Sequence, residues 1–142
     1  MTGVQTCALP IFQVGMKHKE SVEVTWEMTA EKLGNEGVIV FSTPEMLSFL
    51  EITCRHCVEP HLKEGEGTVG ISVDLKHMAS TPIGMNVTCE CELIEIDGKR
   101  LVFNVELWDE GEKVGKAVHE RFIVDMNKLL KKIDKKKEEY CK

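Results

Sequence analysis

Apolar and polar residues alternate from Ser21 to Met28, with Val22, Val24, Trp26 and Met28 on one side and Glu23, Thr25 and Glu27 on the other. A period of two predicts a half-buried strand. Gly34, Asn35 and Gly37 break it, and the short apolar run Val38 to Phe41 leads into "STPEMLSFLEITCRHCVEPHL". There the period changes. Met46, Leu47, Phe49, Leu50, Cys54, Cys57 and Val58 recur at helical spacing, which predicts a largely buried helix with a broad apolar face. Thr43 is placed to cap its first turn, Pro44 sits where a missing N–H costs nothing, and Glu45 favours the positive end of the helix dipole.

"TVGISVDLKHMAS" returns to a period of two, with Val69, Ile71, Val73, Leu75 and His77 sharing one parity, so His77 extends the inward face. "MNVTCECELIEI" and "RLVFNVELW" are further strands joined at Asp97-Gly98, a strong hairpin signal, and "KVGKAVHERFIV" follows a turn at Asp109 to Glu112. These strands read as a meander. Leu129, Leu130 and Ile133, set among lysines, predict a terminal helix with a solvated face and a frayed end. One strand, one buried helix and four antiparallel strands make an α+β protein, a sheet wrapped around a single long helix.

The first fifteen residues carry no charge, so they lack the cationic start of a secretory signal. Thr2 to Ile11 back-translates into an unbroken in-frame read of a common sequencing adapter. Residues 1–15 are therefore expected to be a disordered, non-native scar, and residues 16–142 a single domain with a C-terminal helical tail. That remainder is long enough for one core. It carries the whole net charge of −6, which argues against nucleic acid or an anionic membrane as a partner. With Cys7 set aside, Cys54, Cys57, Cys89, Cys91 and Cys141 are an odd number, which suits a reducing cytoplasm.

Glu51 is the first candidate for chemistry. Its helical neighbours Leu47, Leu50, Cys54 and Val58 put its carboxylate at or in the apolar face, where burial would raise its pKa toward neutrality; the alternative is an edge glutamate reaching water. His77 fits either a functional imidazole or a core histidine with a backbone partner. Thr43 is explained by capping alone, although one hydroxyl can serve an amide and a side chain together. Cys54-x-x-Cys57 with His56 and His61, and Cys89-x-Cys91, invite a zinc reading. All four cysteines lie on apolar faces, and they are better explained as small buried hydrophobes, so no metal is expected.

"STPEMLSFLEITC", "GEGTVGISVDLKHMASTPIGMNVTCECEL" and "GKAVHERFIV" together resemble the fluoroacetyl-CoA thioesterase-like group of the hotdog-fold superfamily, from about Lys17 to Val124. The resemblance implies an antiparallel sheet around a long central helix, assembled as a homodimer or larger oligomer. It implies a catalytic set of a threonine at the helix start, a glutamate eight residues later and a histidine twenty-six beyond that, here Thr43, Glu51 and His77. Gly70 matches a glycine lining the acyl site. His119, Glu120 and Arg121 match an H-E-R stretch, with Arg121 a substrate contact or a strand salt bridge.

The implied activity is hydrolysis of a small or medium acyl-CoA, with no cofactor beyond the coenzyme A of the substrate. Glu51 would attack the carbonyl or activate water, Thr43 would orient Glu51, and His77 would assist proton transfer. The fluoroacetyl-specific enzyme carries a longer, phenylalanine-containing lid before the helix, whereas "TAEKLGNEGVIVFS" is shorter and holds only Phe41, so fluoroacetyl selectivity does not carry over. The competing reading is a non-catalytic hotdog protein that binds acyl-CoA or another hydrophobic ligand.

Overall fold

The computed structural model describes residues 12–141. Strand β1 (Lys17–Glu23) precedes two 3-10 turns and helix α1 (Thr43–Val58). Strands β2 (Glu66–His77), β3 (Asn86–Asp97), β4 (Arg100–Trp108) and β5 (Lys113–Asp125) follow, and helix α2 (Met126–Tyr140) closes the chain. The strands form one antiparallel sheet in the order β1-β3-β4-β5-β2, with α1 packed on β1, β2 and β3. This is the expected α+β hotdog arrangement.

Alternation builds the core. Val87, Cys89, Cys91 and Leu93 of β3 and Leu101, Phe103, Val105 and Leu107 of β4 are fully buried against Met46, Leu50, Cys54 and Val58 of α1. The residues between them face outward, as a pleated strand requires. Both predicted hairpins form. Gly98, at φ +62°, takes the first central position of the β3–β4 turn, where a side chain would be strained, and the Asp109 carboxylate accepts the amides of Gly111 and Glu112 in the next turn.

Three expectations need correction. The first strand spans Lys17–Glu23 rather than 21–28, because its ladder with β3 ends at the pair Glu23 and Asn86. Beyond it Val24 is buried, but Trp26–Met28 turns as a 3-10 helix and leaves Trp26 46% exposed. The four later strands are not a simple meander, since β2 pairs with β5 and not with β3. Residues 78–85 carry the chain to the other side of the sheet, anchored by Phe41 N–H to Thr81 O, by a bridge between Val40 and Pro82, and by the buried Thr81 hydroxyl on Asp109. Strand patterning carries no information about such anchors.

The third correction bears on the site. The β2–β5 register shifts between Gly70 and Ser72, so Ile71 is an extra residue and the parity of β2 reverses there. Thr68 and Gly70 stand opposite the inward-facing Ile123 and Arg121, whereas Val69 pairs with the outward Phe122 and Ile71 is 52% exposed. Val73, Leu75 and His77 then face inward, as expected.

The scar expected over residues 1–15 lies, for residues 1–11, outside the described residues. Of the rest, Phe12 packs partly buried against the core and Gly15 N–H donates to Leu93 O at 2.8 Å. Among the described residues no helix is long and apolar enough to cross a membrane.

Candidate active site

The start of α1 is capped by Ser42, not by Thr43. The Ser42 backbone is extended and its hydroxyl accepts the Glu45 amide at 3.2 Å. Thr43 is the first helical residue, and its hydroxyl is hydrogen-bonded to His77 Nδ1 at 2.8 Å. Capping preference does not separate adjacent Ser and Thr, so the sequence pattern points one residue too far along. Desolvation holds the pKa of His77 below its ordinary 6.5, against an opposing backbone hydrogen bond at Ala79. The ring is neutral near pH 7. This pair borders a cavity of about 330 Å³ shared with Asn35, Val38, Val40, Met78 and Ser80.

Two turns along α1, Glu51 lines a second cavity of about 330 Å³ with Leu47, Ser48, Ile52, Arg55 and Arg121. Its side chain is 39% exposed, so the apolar enclosure expected for it is absent. The reason is angular: Leu50, Cys54 and Val58 turn into the core, while Leu47, Glu51 and Arg55, four residues apart, share the open face. Glu51 Oε2 lies 3.6 Å from Arg121 Nη1, and that arginine is only 6% exposed. The carboxylate thus meets a buried cation.

Arg121 is held in place. Its Nε donates to Thr68 Oγ1 at 2.9 Å, Nη2 to Thr68 O at 3.0 Å, and Nη1 to His119 Nε2 at 3.1 Å. A guanidinium only donates, so His119 Nε2 carries a lone pair and Nδ1 carries the proton, which it gives to Ser72 O at 2.9 Å. Desolvation lowers the pKa of this fully buried ring, and the adjacent Arg121 charge lowers it further. A Cβ on Gly70 would sit 2.5 Å from Glu51 Oε2 and 3.2 Å from His119 Cε1. A side chain here would displace the Glu51 carboxylate, so the glycine makes room for it.

The sequence of the fluoroacetyl-CoA-specific thioesterase family matches residues 24–127, which includes both clusters. The chain belongs to that family. It is 34% identical over 97 residues to the fluoroacetyl-CoA thioesterase of Streptantibioticus cattleyicolor, covering 68% of this chain and 70% of that protein. A crystal structure of a mutant of the fluoroacetyl-CoA-specific thioesterase superposes with a TM-score of 0.85 at 29% identity, covering 90% of this chain and 99% of the other. A thioesterase superfamily member from Thermus thermophilus superposes with a TM-score of 0.85 at 30% identity, covering 92% and 96%.

Within this family framework, Thr43, Glu51 and His77 fall into two clusters of one chain. Eight residues of helix advance about 12 Å. Thr43 pairs with His77 and Glu51 with Arg121; neither contact is the Thr43–Glu51 pairing expected from the sequence. The H-E-R stretch divides by parity. His119 and Arg121 face the site, while Glu120 faces outward and holds Arg100 at 2.5 Å and the Ser72 hydroxyl at 3.2 Å. Thr68, which fixes Arg121, carries no signal in the sequence. Phe41, the one aromatic residue of the lid-equivalent segment, is 1% exposed and belongs to the core.

The cysteines of the zinc reading pack as core residues. Cys54, Cys57, Cys89 and Cys91 are buried and free. Burial pushes Cys89 up to about 12, while Cys57 is raised first by its hydrogen bond with Cys91 and then by burial. They act as small core residues.

Proposed function

We propose that the protein hydrolyses a small or medium acyl-CoA thioester to the free acid and CoA, with Glu51 as the catalytic carboxylate. The observation that supports this most is the placement of Glu51 on an open cavity beside a buried, fixed cation. A carboxylate open to a cavity and held 3.6 Å from Arg121 Nη1 is placed to act as nucleophile or general base. As nucleophile, Glu51 bonds the carbonyl carbon, the C–S bond breaks, and water later cleaves the mixed anhydride; as base, it takes the proton of an attacking water. The CoA thiolate, of ordinary thiol basicity, leaves with little help and is protonated afterwards. Backbone amides at Gly70 would receive the oxyanion.

The active assembly in this reading is a homodimer in the cytoplasm. Among the described residues β2 is a twelve-residue edge strand, paired with β5 on one side only. A long edge left open invites another strand. Antiparallel pairing of two β2 edges about an axis near Val73 and Asp74 would set residue 77 of one copy opposite residue 70 of the other. The Thr43–His77 pair of one chain would then join the Glu51 cluster of its partner, completing one site from two halves.

The test is a chain-length panel of acyl-CoA thioesters assayed for free thiol. Turnover of short or medium substrates is expected. Tight binding without turnover across the panel would establish the non-catalytic binder instead.

A further inference from the structure

Glu51 faces one side of α1; five residues on, and about 140° around the helix, His56 faces the other, toward β1. There His56 Nδ1 lies 2.6 Å from Glu20 Oε2, and His18 Nε2 lies 2.8 Å from the same oxygen. His18 and Glu20 share the inward face of β1, opposite Cys91 and Cys89 of β3, so the three groups come from two rigid elements far apart in sequence. Their side chains are 37%, 28% and 40% exposed for His18, Glu20 and His56, which leaves solvent access on one side.

We propose that His18, Glu20 and His56 form a binding site for one zinc-class divalent cation. Two imidazoles and one carboxylate are the donor set such ions take, with a fourth position left to water. The three ligand atoms lie within 4.8 Å of one another. Ligand bonds of about 2.0–2.1 Å at tetrahedral angles require donor separations of about 3.3 Å, so each ring nitrogen draws back from the Glu20 oxygen by less than about 1 Å while the two nitrogens settle at that same separation. The proton chemistry balances. Each ring now directs an N–H to Glu20 and needs only to present that nitrogen's lone pair, its proton carried on the other ring nitrogen or released. Glu20, despite a desolvation that alone would raise its pKa, is held below its ordinary value by the hydrogen bonds from His56 and His18. The ion would tie the end of α1 to the outer strand of the sheet, 36 residues away in the chain. It uses His56 but none of the buried thiols.

The experiment is calorimetric titration of untagged protein with zinc chloride, in a Cys141→Ser background that removes the exposed thiol, with the cobalt(II) absorption spectrum as a second readout. His18→Gln and His56→Gln keep a donor for Glu20 but remove a ligand. One zinc per chain is expected, raising the thermal midpoint, with affinity falling more than about tenfold in either variant. Absence of binding, equal binding in both variants, or a cobalt–thiolate charge-transfer band would each overturn the site. None of these readouts depends on thioesterase activity.

Discussion

The two clusters along α1 each hold a threonine and a neutral histidine, but only the second carries charge. At the helix start, Thr43 and a neutral His77 form an uncharged pair on a shallow cavity. Two turns on, Glu51 meets a buried Arg121 that is itself held by Thr68 and a neutral His119. The first cluster can relay a proton; the second can hold a charge where a carbonyl would sit. A thioesterase needs both, and one chain keeps them about 12 Å apart, which is why the open β2 edge matters to the account.

Substitutions separate the two clusters. Arg121→Met should have the largest effect, since it leaves the buried Nε2 of His119 and the Thr68 groups unpaired at about 1–3 kcal/mol per orphaned group and also frees Glu51. Thermal or denaturant unfolding and thiol release should both report it. Gly70→Ala should split the two readouts: the new Cβ displaces Glu51 Oε2, lowering kcat by about 100-fold, while unfolding changes by less than about 1 kcal/mol. At the helix start, Ser42→Ala should cost about 1 kcal/mol of stability as a lost cap and leave thiol release intact. Thr43→Ala should instead slow thiol release with a smaller stability loss, and Thr43→Ser should restore it. If Ser42→Ala and Thr43→Ala behave alike, the division between cap and site residue is wrong.

The smallest expected effect is on pH dependence. His77 and His119 have pKa values lowered below 6.5, chiefly by desolvation, so the unfolded chain takes up their protons first. Their contribution to stability is full above about pH 6.5 and is lost as pH falls through the lowered folded values. Unfolding followed between about pH 7 and pH 5 should show a shallower acid slope for His119→Gln than for the parent protein.

What the sequence could reveal divides along physical lines. Hairpin turns, strand alternation in β3 to β5 and the apolar face of α1 are local signals, and all were legible. The place of β2 at the sheet edge depends on anchors such as Thr81 and Pro82, which leave no periodic trace. The bulge at Ile71 is subtler. An extra residue reverses parity without changing the residue types around it, so Val69 and Ile71 read as inward while Thr68 and Gly70 do the facing. The candidate residues Thr43, Glu51 and His77 were visible through family spacing, but their partners Arg121 and His119 took definite roles only once β5 lay beside β2.

The most direct measurement is free-thiol release by Glu51→Gln at saturating acyl-CoA, beside a binding titration of the same variant. The account predicts a rate loss of at least about 100-fold with substrate affinity and thermal midpoint close to those of the parent. Turnover retained near the parent rate would contradict it, because among the described residues no other carboxylate lines that cavity beside Arg121.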